Sequence, residues 1–232
     1  EAEKFSRHFA PLLSGKNNLL SFEKFDLRNP ENIPAPIKNS SPYHLITIMN
    51  VLNELDEDSD STLFESVMSL LDENGALMMI EPATRDQSRR LLRFRDLAVS
   101  KGATIYSPCT RQDVCPALIE EDDWCHTEVK WERPAFIKAI DEVAGTLRLS
   151  LKYTYVIIRK DGVTLSNAIH QNSLYRVVSE RFDEKGRIRV ILCGENGRYE
   201  HVMNKRDLSD NNKDFAEIER YDVRHLTGED VR

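Results

Sequence analysis

Four cysteines, Cys109, Cys115, Cys125 and Cys193, are the residues of this 232-residue chain best suited to carry chemistry. Three fall in the segment 107–126, SPCTRQDVCPALIEEDDWCH, beside Asp113, Trp124 and His126. Five residues separate the first two cysteines and nine the next pair, wider than the Cys-x-x-Cys knuckle of a zinc ribbon. Four cysteines are few for a secreted disulfide scaffold of this size, and clustering in one loop points to metal binding in a reducing compartment. Each of the three has a chain-bending or aromatic neighbour: Pro108, Pro116 or Trp124. Cys193 stands apart, at a strand end before Gly194, where the missing side chain lets the backbone approach a bulky group. A lone cysteine is also a common core residue, and His126 is an alternative fourth ligand of a Cys₃His zinc site. Four thiolates suit a 4Fe-4S cluster or a tetrahedral zinc.

The elements that must position this loop follow from hydrophobic periodicity. Phe5, Phe9, Leu12 and Leu13 mark a helix over 1–13 stopped at 14–18, and 19–25 reads as a strand with Asp26 at its end. The four prolines of 28–42 make that stretch a loop. Residues 43–50, YHLITIMN, read as a strand buried on both faces. A helix is predicted over 61–71, ended by Asp72-Glu73-Asn74-Gly75, then a strand over 76–80. A basic amphipathic helix over 85–100 leads to a strand over 104–107, from which the cysteine loop departs. A helix over 134–145 and a strand over 152–159 close the series. Strand–helix–strand alternation predicts a parallel sheet with right-handed crossovers. Beyond Asp161-Gly162, strands over 174–181, 187–193 and 198–203, separated by glycine-containing turns, predict an antiparallel meander. The expected division is an α/β domain over 1–162 that includes the cysteine loop 107–126, a β appendage over 163–206 and a charged, loosely attached tail over 207–232.

Ligands of open α/β sheets sit beyond the carboxyl ends of the strands. The polar residues there are Asp26, Asn50 and Glu81, which makes them the candidate cofactor-binding residues, with Asn53 and Glu54 in the following loop as candidate catalytic groups. The run from 43 to 82 resembles the middle of a class I S-adenosylmethionine-dependent methyltransferase, a Rossmann-like fold. No Gly-x-Gly-x-x-Gly loop is present among only nine glycines. The chain starts at Glu1 rather than Met, which leaves two alternatives: the first strands of such a sheet, with their glycine loop, lie upstream, or the protein has abandoned the cofactor.

The stretch 50–160 is similar to the methyltransferase-like family of small-ribosomal-subunit proteins found in mitochondria and many bacteria. The carrying motifs are VLNEL at 51–55, IEPAT at 80–84, SPC at 107–109, CP at 115–116, DWCH at 123–126 and KYTYVIIRK at 152–160. Where that family begins its cysteine loop with Ala-Pro-Cys-Pro-His, this chain has Ser-Pro-Cys-Thr-Arg. The resemblance implies that Cys109, Cys115, Cys125 and Cys193 bind a 4Fe-4S cluster, and that the protein associates with small-subunit RNA and proteins. It leaves the activity between an assembly factor and an rRNA methyltransferase. It places the chain in the mitochondrial matrix or the bacterial cytoplasm.

Composition bounds the rest. The chain is 31% charged with a net charge of −7, and no apolar run approaches a bilayer span. Charge is uneven: from Arg159 to Arg206 ten Lys or Arg face six Asp or Glu, a local balance of +4. With Arg89, Arg90, Arg93 and Arg95 of the basic helix, these residues are expected to meet RNA phosphates, the alternative being a strand face that is basic only because it is solvated. A zinc-binding methyltransferase acting on a small molecule is the alternative reading.

Overall fold

The computed structural model describes residues 23–210 and 212–225, which form two five-stranded sheets. The helix expected over 1–13 and its stop lie outside the described residues, as does most of the strand expected over 19–25; residues 23–26 are irregular. After a short helix α1 (Ala35–Asn39), the first sheet comprises β1 (Tyr43–Met49), β2 (Leu71–Pro82), β3 (Thr104–Ser107), β4 (Thr127–Lys130) and β5 (Ser150–Arg159). Helix α2 (Asp60–Leu70) connects β1 to β2 and α3 (Arg85–Ser100) connects β2 to β3.

The α/β class and the β1–α2–β2 parallel pair are as the periodicity requires. The sheet is nonetheless mixed, in the order β1-β2-β5-β3 with β4 on β5. Strand β5 runs antiparallel to both β2 and β3 and separates them. A parallel strand needs a covering crossover that returns the chain to the far edge. Between β3 and β5 the chain makes the cysteine loop, β4 and α4 (Ala135–Ala144), a helix that buries only Asp141. The chain therefore re-enters the sheet from the end it left.

Two other expectations change. Among the described residues strand β1 is an edge: Ile48 is buried, but Leu45 and Met49 of the opposite face are 58% and 47% exposed. Helix α2 passes straight into β2, so Asp72–Gly75 lie inside an irregular strand start where Tyr43 pairs with Leu71 and Leu45 with Ala76. Only glycine fits at 75, since a Cβ there would lie 2.7 Å from the Tyr43 carbonyl oxygen.

Leu63, Phe64 and Val67 of α2 and Leu91, Phe94 and Ala98 of α3 recur at helical spacing and pack on Ile48, Leu77, Met79, Ile105, Val156 and Ile158 of the sheet. Helix α3 starts where the Thr84 side chain accepts from the Gln87 amide and ends before Gly102, whose φ of 84° continues no helix.

The second sheet is wholly antiparallel. A short helix α5 (Leu165–Ile169) precedes β6 (Leu174–Val177), β7 (Phe182–Glu184), β8 (Arg187–Gly194), β9 (Gly197–Asn204) and β10 (Val223–His225). Glu195 and Asn196 form a two-residue hairpin between Gly194 and Gly197, as the turn residues predict. The strand expected over 174–181 is split: β6 and β7 both pair with β8, and Ser179 between them accepts the Ile191 amide at 2.8 Å. The segment from Asp207 is docked rather than loose as far as His225. Phe215 and Ile218 enter the sheet's core beside Val190 and Met203, and β10 adds a strand to β6.

Candidate metal centre and its arginine frame

The cysteine loop is held in place by α3. Arg89 Nη1 donates to the carbonyls of Ala117 (3.1 Å), Glu120 (2.7 Å) and Asp123 (2.6 Å), and its Nη2 to that of Leu118 (3.3 Å). Arg95, 1% exposed, donates to the carbonyls of Arg111 and Asp113. Its ion-pair partner Asp96 accepts the Cys115 amide at 3.0 Å. Arg90 turns the other way, pairing with buried Asp60 and donating to the carbonyls of Leu52 and Leu55. Arg93 pairs with Glu57. Arg89, Arg90 and Arg95, expected on an RNA-facing surface, are thus committed to the protein's own loops. Charge alone carries no mark of burial, and the loop carbonyls that bind these residues have no sequence signature.

The four cysteines meet. Cys109, Cys115 and Cys125 from the loop and Cys193 from β8 line one cavity of about 30 Å³, with Pro108, Pro116, Val178, Arg176 and Arg198 in its wall. That exceeds the roughly 10–15 Å³ a single water requires. None is in a disulfide. Burial pushes the Cys115, Cys125 and Cys193 thiols up, Cys193 to about 12, and the neighbouring Cys109 adds to each shift. Four thiols whose charges disfavour one another need a cation to ionise together. The loop and the second sheet are joined around the cavity by the Arg198–Asp123 ion pair and by Thr110 Oγ1 donating to the Cys193 carbonyl at 3.4 Å. Gly194 serves strand pairing rather than the cavity: a Cβ there would lie 2.5 Å from Tyr175 Cδ1 and 2.8 Å from the Leu174 carbonyl oxygen.

The donor set suits a thiolate-bound metal group, since no carboxylate or histidine shares the cavity wall. His126 lines the adjoining cavity of about 20 Å³ with Arg95, Tyr155 and Arg176. There its Nδ1 is buried without a partner and burial holds its pKa down. Among the described residues no group of three or more His, Cys, Asp or Glu is arranged to hold a single metal ion.

The residues expected to meet a cofactor are only partly together. Asn50, exposed with φ 55°, and Glu81 sit at neighbouring ends of β1 and β2, the Asn50 amide donating to Ile80. Glu81 is fully buried, and its Oε1 accepts the amides of Val51 (2.9 Å) and Leu52 (3.0 Å) while Oε2 has no partner. Asp26 is exposed and ends no strand; Arg28 holds it by three hydrogen bonds, from its backbone amide, Nε and Nη2, and lowers its pKa. Asn53 and Glu54 lie exposed on a single 3-10 turn, hydrogen-bonded to each other at 3.2 Å.

The basic stretch from 159 to 206 is also largely compensated. Arg187 and Arg189 share one face of β8, as alternation predicts, where Glu184 pairs with both and Glu200 with Arg189. Arg159 pairs with Asp161, Lys160 with Glu73, and Arg181 and Lys205 with Asp183.

Against known families, residues 23–215 match the family described as mitochondrial small ribosomal subunit Rsm22, a span that takes in all four cysteines and most of both sheets. No curated protein matches the chain.

Proposed function

The chain belongs to the Rsm22 family of the mitochondrial small ribosomal subunit, and from that premise we propose that it is a small-subunit assembly factor of methyltransferase-like fold, stapled by a 4Fe-4S cluster. The observation that carries the cluster is the convergence of Cys109, Cys115 and Cys125 from the loop and Cys193 from the second sheet on one cavity free of other ligating side chains. The cluster, when bound, supplies four covalent ties and a compact anionic group in place of four protonated thiols. The residues do the rest: Arg89 and Arg95 fix the path of the loop, Asp96 fixes the Cys115 amide, and Arg198 with Asp123 closes the second sheet onto the loop. An all-thiolate lining suits a cluster and a tetrahedral zinc alike, and the cluster is the choice that the resemblance of the cysteine loop implies.

S-adenosylmethionine belongs to the reading through the ends of β1 and β2. Asn50 is exposed there and, among the described residues, its side chain has no hydrogen-bond partner, while Glu81 shapes the turn at Val51 and Leu52. We assign Asn53 and Glu54 no catalytic step, and methyl transfer to rRNA stays secondary to the assembly role. The family's description favours the mitochondrial matrix as the place of action.

The test is sedimentation. Tagged protein, prepared without oxygen, is expected to travel with mitochondrial small subunits in a low-salt gradient and to leave them as salt rises. A protein that keeps its cluster yet stays at the top of the gradient refutes the ribosomal role.

A further inference from the structure

Arg176 of β6 lies in the wall of both cavities that flank Cys109 and Cys125. It is 7% exposed, and its Nη2 donates to the Thr127 hydroxyl at 3.2 Å. The guanidinium rests against the rings of Tyr155, 5.9 Å away, and Tyr221, 5.2 Å away. Its Nε is buried without an acceptor. Three other arginines around the cysteines each have a carboxylate: Asp96 for Arg95, Asp113 for Arg111 and Asp123 for Arg198. Arg176 has none among the described residues.

A buried cation held only by a hydroxyl and two ring faces is costly unless an anion balances it. A buried N–H without an acceptor asks for the same explanation. Both demands point to the cavity. Four thiolates carry more negative charge than a zinc ion or an iron–sulfur core cancels, so the bound group is anionic and its sulfurs accept hydrogen bonds. We propose that Arg176 is the counter-charge and N–H donor for the metal group held by the four cysteines, with Arg95, whose Nε is likewise buried and unpartnered, as the second donor. The inference rests on the metal reading above and assigns to it residues that ligate nothing themselves. Arg176 is a positioning residue: it sets how firmly the group is held and, for an iron–sulfur cluster, at what potential it is reduced.

The experiment compares wild type, Arg176→Gln and Arg176→Lys, each full-length and purified without oxygen. Release of metal to excess chelator is followed in all three, and the midpoint potential wherever iron is present. Arg176→Gln should release metal about tenfold faster or more, the usual effect of removing an outer partner of a ligand. Its midpoint should move to more negative values, because losing a positive charge disfavours the reduced state. Arg176→Lys keeps the charge but not the fork, so it should hold the midpoint near wild type while releasing metal faster. A Gln variant that melts like wild type with unchanged release and potential overturns the proposal. If the Gln variant does not fold, equal release rates for Lys and wild type overturn it. Wild-type protein that carries no metal refutes the metal reading itself, an outcome distinct from the other two.

Discussion

At the scale of single residues, the choice of fourth ligand is the sharpest question. Cys193 lines the four-cysteine cavity, whereas His126 lines its neighbour and stacks on Trp124 with ring centroids 6.2 Å apart. Cys193→Ser should therefore lose the bound metal, and His126→Ala should keep it. Metal content of the two variants purified without oxygen decides the matter; retention by Cys193→Ser with loss in His126→Ala would make the histidine the ligand. The raised thiol pKa values belong at this scale too. Burial is the main cause for Cys115, Cys125 and Cys193, so a metal must displace protons to bind.

At the scale of elements, α3 is a scaffold helix whose positive charges point at backbone carbonyls. Arg89→Ala removes donors to four loop carbonyls and should cost roughly 2–3 kcal/mol, since hydrogen bonds from a charged group contribute about 1.5–3 kcal/mol each and Arg89 is only half-buried, which lets solvent offset part of the loss. Thermal melting with parallel RNA binding separates the roles: a lowered melting temperature with an unchanged salt slope fits the scaffold, and the reverse pattern would return α3 to the RNA surface. The excursion around α4 is governed by Asp141. Arg133, Thr146 and Arg148 hold its carboxylate at a pKa of about 2, below its ordinary 3.8. A carboxyl whose pKa is depressed on folding stabilises the fold above its unfolded pKa, and that contribution fades as pH falls from about 4 towards 2. Asp141→Asn should thus melt lower than wild type at pH 7, with the gap closing between pH 4 and pH 2. A gap that stays constant across that window would mean the ion pairs contribute nothing. The apolar side of the same helix, Phe136, Ile140 and Val143, is 51–92% exposed.

At the scale of the whole molecule, each sheet has its own core, and a small third cluster of Leu92, Cys115 and Ala117 lines the cysteine cavity on the seam between the two sheets. Among the described residues the polar contacts across that seam include Arg198–Asp123, Arg220–Glu128, Arg176–Thr127, Thr110–Cys193 and the Glu128 amide donating to the Tyr221 hydroxyl at 2.6 Å, and Arg176 also rests on the Tyr155 ring. If the bound group is the main tie, chelation should raise hydrogen exchange in 107–126 and 174–204 while leaving β1, β2 and α2 protected. Uniform deprotection would instead mean that the two sheets unfold as one cooperative unit. The RNA expectation narrows at this scale. Arg187 and Arg189 are accessible but paired with Glu184 and Glu200, so reversing them also leaves those carboxylates unpaired.

Local physics made several features readable from residue order alone. Helix α3 and strand β3 stand at the predicted residues because Thr84, Gly102 and the apolar spacing are short-range signals. The Glu195-Asn196 hairpin follows from its flanking glycines, and the three-cysteine loop from its composition. What lay beyond reach depends on partners distant in the chain. The antiparallel insertion of β5 between β2 and β3 reflects an excursion with no covering crossover. The docking of 205–225 depends on Phe215 and Ile218 finding the core of a sheet formed by other strands. The inward arginines are the clearest case, because a guanidinium reads as surface until the carbonyls of a loop about 30 residues away are brought to it. Cys193 joins Cys109, Cys115 and Cys125 only because β8 is closed onto the loop from another sheet, and closure between sheets is set by tertiary packing, which no local run of residues encodes.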